Sequence, residues 1–147
     1  MLQTFKEHIY KIYPRELEIK LESNNIREVS YLDLRIKSEG GTLDFSIYDK
    51  RDDFNFQIVN FPYMDSCIPR KSALGVFYSQ LIRFARINSS YQAFKNKSRS
   101  LIDKLSEQGY RLEELKRLSL RFFKDRSSIL IKYGPINGND FIKDLFL

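Results

Sequence analysis

The chain is predicted to be an α+β protein: a small antiparallel β-meander of three to four strands with an N-terminal helix, followed by a basic three-helix region. Three observations predict this. Apolar and polar residues alternate with period two across residues 16–22, 32–37 and 43–47; beyond Pro69 the apolar period becomes 3.6; and the change falls at the proline-bounded stretch 62–69. The expected organisation is therefore a sheet part over residues 1–61, a linker over 62–69, a helical part over 70–133 and a tail over 134–147.

The N-terminal helix rests on Thr4-Phe5-Lys6-Glu7, which has the spacing of a capping box, and on Phe5, Ile9 and Ile12, which recur at helical intervals until Pro14. In the first expected strand Leu17, Ile19 and Leu21 alternate with Glu16, Glu18, Lys20 and Glu22, which leaves one face apolar and the other solvated. Ser23-Asn24-Asn25 supplies turn residues, and Leu32, Leu34 and Ile36 then alternate with Asp33, Arg35 and Lys37. Glu39-Gly40-Gly41 is a tight reversal into a strand carrying Leu43, Phe45 and Ile47, since glycine tolerates the positive φ of hairpin turns. A fourth extended stretch runs from Phe54 to Asn60.

Past the linker, Leu74, Phe77, Leu81, Phe84 and Ala85 form one stripe and place Arg83 and Arg86 toward another face. Ser89-Ser90 reads as a break and a cap. The second helix turns Phe94, Leu101 and Leu105 inward and stops at Gly109, and the third carries Leu112, Leu115, Leu118 and Phe122. Gly134-Pro135 closes the helical pattern, and the tail DFIKDLFL is either a last helical turn or a frayed end.

Composition narrows the function. Twelve Phe and nine Tyr are too many for a disordered chain. A single cysteine, Cys67, and a single histidine, His8, leave no internal disulfide and no Cys/His zinc set. No apolar run is long enough to cross a bilayer, so no membrane partner is expected, and the expected compartment is intracellular, cytoplasmic or nuclear. The net charge of +6 is uneven: residues 68–132 hold fifteen Lys and Arg against five Asp and Glu, whereas residues 1–67 hold nine against twelve. Such asymmetry points to an anionic partner for the helical part, nucleic acid first among the candidates.

Catalytic constellations are weak. Asp52-Asp53 has the look of a paired carboxylate, but two-metal chemistry needs acids on a rigid scaffold, and here Asp49-Lys50-Arg51 brings positive charge to the same corner. The one candidate for an upstream aspartate strand is Asp33, and the alternation places it on the solvated face. The pair is read as a charged corner neutralised by Lys50 and Arg51. No glycine-rich phosphate loop is present, His8 reads as a surface histidine, and Cys67 has no base near it in sequence. No catalytic residue, metal or cofactor is assigned.

The succession Tyr31-Leu32-Asp33-Leu34, Gly40-Gly41, Tyr48-Asp49-Lys50, Ile68-Pro69 and the helix from Lys71 resembles the region downstream of the catalytic core in reverse transcriptases of eukaryotic retroelements, especially the Penelope-like kind. The resemblance covers roughly residues 14–125. It implies the end of a polymerase palm followed by a thumb-like, helix-turn-helix-like region, in which the meander supports the primer end and the basic helices track an RNA–DNA or other duplex. The aspartate strand and the aromatic-x-Asp-Asp hairpin of the palm have no counterpart here, so polymerase activity is not implied. An upstream polymerase segment is then a possible partner.

The residues assigned to phosphate contact are Arg70, Lys71, Arg83, Arg86, Lys95, Lys97 and Arg99, expected around two helix starts and one shared polar surface, with Lys116, Arg117, Arg121 and Lys124 as a second group. Tyr78, Phe84, Tyr91, Phe94 and Tyr110 interleave with them and are candidates for base stacking, although Phe84 and Phe94 fall on the apolar stripes and read as core. The expected function is a non-catalytic nucleic-acid-binding module. The alternative is a protein-interaction domain that docks on an acidic partner or a separate polymerase chain.

Overall fold

The computed structural model describes residues 8–9, 11–14, 16–18, 25, 27–56 and 58–147. Strands β1 (Glu28–Tyr31), β2 (Leu34–Glu39) and β3 (Thr42–Ile47) form one antiparallel sheet in the order β1-β2-β3. Five helices follow: α1 (Arg70–Ile87), α2 (Tyr91–Glu107), α3 (Leu112–Asp125), α4 (Ser127–Leu130) and α5 (Gly138–Phe146). The α+β class expected from the periodicity is the class found.

Turn chemistry explains the sheet. Gly40 and Gly41 have φ of 56° and 84° and join the paired residues Glu39 and Thr42, the backbone a two-residue hairpin loop requires. The β1–β2 loop is Leu32-Asp33, and Leu32 takes φ of 54° although it carries a side chain. The register pairs Leu34 with Ile47, Ile36 with Phe45 and Val29 with Ile36, which collects the apolar residues on one face. Glu28, Arg35, Lys37, Asp44 and Ser46 share the other, and Glu28 bridges Arg35 and Lys37.

Two expected strands differ from those found. Residues 16–18 form a turn and bend, and the rest of the expected first strand, residues 19–22, lies outside the described residues. Leu32, counted in the alternation, sits in the loop, so pairing begins earlier, at Glu28. The stretch after β3 is not a strand either: residues 54–56 are bends and 58–60 have no regular structure. The reason is that the outer edge of β3 is already taken. Asn88 and Ser89, which link α1 to α2, pair with it: Ile47 N–H donates to Asn88 Oδ1 (3.1 Å), Phe45 N–H to Ser89 Oγ (2.7 Å), and Ser89 N–H back to Phe45 O (2.8 Å). At the other end of the sheet part, His8, Ile9, Lys11 and Ile12 are helical as expected, while the capping box Thr4–Glu7 lies outside the described residues.

Helical periodicity sets the core. The buried stripe of α1 is Ala73, Phe77, Leu81, Phe84 and Ala85, and that of α2 is Phe94, Ser98, Leu101, Ile102 and Leu105. Ser90 caps α2 by accepting from Ala93 N–H, and Gly109 (φ 87°) ends it, with Tyr110 N–H turned back to Leu105 O. Within the expected tail, residues 134–147, the stretch Gly138–Phe146 is an integral helix: Asn137 caps α5 by accepting from Asp140 N–H, and Phe141 is fully buried. Phe94 lies against Phe122, Phe141 and Tyr133 with ring centroids 5.9–6.3 Å apart. Deleting such a buried ring costs about 3–5 kcal/mol. Ile47 belongs to the same buried cluster, so the sheet and the helices share one core.

Candidate functional site

The basic residues of α1 and α2 fall on separate flanks, which corrects the expectation of one shared polar surface. Lys97, near the middle of α2, and Lys104, two turns on, both reach Asp52 in the 3-10 turn Lys50–Asp53. On the same side Arg83 of α1 meets Asp33 in the β1–β2 loop. Lys95 and Arg99 lie on the opposite flank of α2: Lys95 Nζ is 3.5 Å from Asp144 of α5, and Arg99 Nε donates to Asp144 O (2.5 Å). There the arginine satisfies a carbonyl at the C-terminus of α5 and favours its dipole. Arg70 pairs with Glu114 at the start of α3.

The side chains around Arg83 and Lys97 close a charged notch of about 190 Å³, whose lining includes Asp33, Asp49, Arg51 and Asn60. Two of its carboxylates, Asp33 and Asp49, bind protons less readily than usual. The Arg83 guanidinium keeps Asp33 below the ordinary carboxylate value, and Arg51, bonded to Asp49 through Nε and Nη2, holds Asp49 down to about 2. Asp52 and Asp53 do not pair with Lys50 and Arg51 as expected. Asp52 takes Lys97 and Lys104, Asp53 accepts from the Tyr48 hydroxyl, and Arg51 turns to Asp49. Among the described residues no group of three or more His, Cys, Asp or Glu is arranged to hold a metal ion.

The second basic group is differently placed. Arg117, Arg121 and Lys124 stand at i, i+4 and i+7 on α3 and point away from its buried residues Leu115, Ser119 and Phe122. Arg121 pairs only with Asp125 on its own helix (3.1 Å) and lies over the Tyr78 ring. Arg117 and Lys124 have no ion pair among the described residues, nor do Lys71 and Arg86 on α1; Lys116 is half-buried over the Phe146 ring. Seven expected phosphate ligands are thus held by protein partners, and the other four divide evenly, Lys71 and Arg86 on α1 and Arg117 and Lys124 on α3.

The expected stacking aromatics are mostly structural. Phe84, Phe94 and Tyr110 are buried, and the Tyr110 hydroxyl donates to Pro62 O (3.0 Å). Tyr91 donates to Asp144 (2.9 Å), and burial raises its phenol well above the ordinary value. Tyr78 is half-buried edge-on against Phe122. The open rings belong to the expected fourth strand and to the linker: Phe54, Phe56 and Tyr63 are 47%, 61% and 48% exposed. Their signal was the aromatic density of DDFNFQIVNFPY, which strand alternation absorbed.

At the far end of α1, Lys132 Nζ donates to Arg86 O and Asn88 O, and the Tyr133 hydroxyl lies 3.0 and 2.8 Å from Ala85 O and Asn88 O. Burial pushes the Tyr133 phenol up to about 12 and lowers the Lys132 ammonium. Both side chains cap α1, a structural use of residues not assigned from sequence. No protein-family model, curated protein or solved structure matches this chain. No helix among the described residues is long and apolar enough to cross a membrane.

Proposed function

We propose that this chain is a non-catalytic module that binds nucleic acid through its phosphates, with the outward stripe of α3 as the principal contact. The observation that carries this reading is the alignment of Arg117, Arg121 and Lys124 on one solvent-facing line, with no ion pair to an acid of another element among the described residues. Over seven residues the stripe spans about 10 Å, and a duplex presents a negative charge every ~1.7 Å of its axis. The excess of ten positive charges over residues 68–132 supplies the long-range attraction. The resemblance of residues 14–125 to the post-catalytic region of retroelement reverse transcriptases is in keeping with this role, and an RNA–DNA duplex is the ligand it implies.

The test is fluorescence anisotropy with a labelled RNA–DNA hybrid and a labelled DNA duplex between 50 and 200 mM salt. Affinity is expected to fall steeply with salt, and Arg117→Glu combined with Lys124→Glu to flatten the log–log slope by about 2, since each neutralised phosphate contributes about 0.9. Arg83→Glu, which removes a cation already held by Asp33, is expected to change the slope less. Binding that ignores salt, or that survives the double variant unchanged, removes the proposal.

A second reading, docking onto another protein chain, has one observation in its favour: on the apolar face of the sheet Val29, Tyr31 and Leu43 remain 46%, 67% and 59% exposed. It predicts no affinity for either duplex. It also predicts association with a co-expressed palm segment that is lost on Tyr31→Ser with Leu43→Ser, read by sedimentation velocity.

A further inference from the structure

We propose that a pocket between the segment after the 3-10 turn and the C-terminal end of α2 takes a single nucleobase, either of a free nucleotide or of an unpaired residue in a strand. The cavity measures about 500 Å³, within the range of small-molecule sites. None of its lining residues belongs to the α3 stripe, so the inference stands apart from phosphate binding there.

Three features of the pocket suit a base. The first is a set of uncovered rings: Phe54 and Phe56 lie 5.3 Å apart, tilted by 45°, and Tyr63 lines the same cavity. Large aromatic side chains left in water forgo the gain of burial, and a flat heterocycle recovers it by stacking. The second is Gln108, which caps the C-terminus of α2 and lines the cavity. Its residue is only 9% exposed, yet its Oε1 has no hydrogen-bond partner among the described residues. A buried amide with one end unsatisfied is costly, and an amide that turns toward the cavity can accept from a ligand N–H. Glutamine is also a side chain whose amide matches the paired donor and acceptor of a base edge.

The third feature is the mixed charge around the rings. Lys104 lines the cavity and is held only at 3.6 Å by Asp52, which it shares with Lys97, so its ammonium is available to a 5′-phosphate. The Glu107 carboxylate stands beside Gln108 and can accept from an exocyclic amine or a ring N–H. A purely anionic ligand would meet Asp52 and Glu107; an aliphatic one would leave Gln108 unsatisfied. A planar heterocycle with N–H donors and one phosphate suits the rings, Gln108, Glu107 and Lys104 together.

The experiment uses 2-aminopurine, whose emission is quenched when it stacks; the chain contains no tryptophan to interfere. Two probes are titrated into the full chain: 2-aminopurine riboside 5′-monophosphate, and a single-stranded oligonucleotide with one central 2-aminopurine. Quenching of the monophosphate identifies a nucleotide site, and quenching of the oligonucleotide alone identifies a site for a base within a strand; either supports the proposal. Phe56→Ala, at an exposed position, is expected to weaken the quenching about tenfold with the thermal midpoint unchanged. Gln108→Leu, which removes the amide at similar size, is expected to weaken it by a similar factor. Absence of quenching for both probes, or quenching unchanged by Phe56→Ala, overturns the inference. Because the monophosphate has no need of α3, such a failure is distinct from loss of duplex binding.

Discussion

Asn88 shows how much one side chain can carry in this fold. It is fully buried and polar, and every part of it is used: Oδ1 accepts from Ile47 N–H, Nδ2 donates to Phe84 O, and its carbonyl receives Lys132. It ends α1 and closes the edge of β3 at once. Asn88→Ala would leave the Ile47 N–H buried without an acceptor, and is expected to lower the unfolding free energy by about 2–3 kcal/mol in urea denaturation; a loss below about 0.5 kcal/mol would mean that water replaces the amide. Leu32 presents the opposite case. Its φ of 54° is costly for any residue with a Cβ, while its side chain is 79% exposed and gains little from burial. Leu32→Gly is therefore expected to stabilise the hairpin by about 1 kcal/mol, read as a rise in thermal midpoint.

At the scale of elements, α2 and α3 each turn one serine into the core. Ser98 and Ser119 are fully buried, and neither hydroxyl has a hydrogen-bond partner among the described residues. Alanine removes the unsatisfied oxygen and raises helix propensity, so Ser98→Ala and Ser119→Ala should each stabilise by about 1 kcal/mol; a destabilisation on calorimetry would reveal a bound water at the hydroxyl removed. The helices themselves were legible from sequence because period 3.6 is read within one element: Phe77, Leu81, Phe84, Phe94 and Leu105 are core where the pattern puts them. Gly40-Gly41 and Gly109 were legible because positive φ leaves a residue signature. What sequence did not give was set between elements. The missing fourth strand depends on Asn88 and Ser89 occupying β3, some forty residues away, and α5 depends on a pocket for Phe141 made by Phe94, Phe122 and Phe123. The same limit governs the site. Whether Arg83 or Arg117 is held is decided by Asp33, an acid from the β1–β2 loop, and by the lack of an ion-paired acid opposite Arg117 among the described residues.

Across the whole molecule, acids of one element hold cations of another: Asp33 joins the sheet to α1, Asp52 joins the 3-10 turn to α2, Glu114 joins α3 to α1, and Asp144 joins α5 to α2. Exposed pairs of this kind are individually small, about 0–1 kcal/mol, but those of Asp33 and Glu114, with the Asp49–Arg51 pair inside the turn, bring a dependence on pH. Asp33, Asp49 and Glu114 have folded values below their ordinary ones, through hydrogen bonds from Arg83, Arg51 and Arg70 in that order, and Asp49 titrates at about 2. A carboxylate that binds its proton less readily when folded contributes stability that is complete above the unfolded value, near ~4, and disappears as pH falls through the folded value. The urea midpoint should accordingly be level from pH 7 to about 5 and drop between about pH 4 and 2. As the acids neutralise, the 25 Lys and Arg also lose their counter-charges, and general repulsion steepens the same fall. The two contributions separate in the variant Asp49→Asn: its midpoint at pH 7 should already be lower, and its decline between pH 4 and 2 shallower by the share that Asp49 contributed. An unaltered decline would assign the acid sensitivity to repulsion alone and leave the Asp49–Arg51 pair without a role in holding the turn beneath α2.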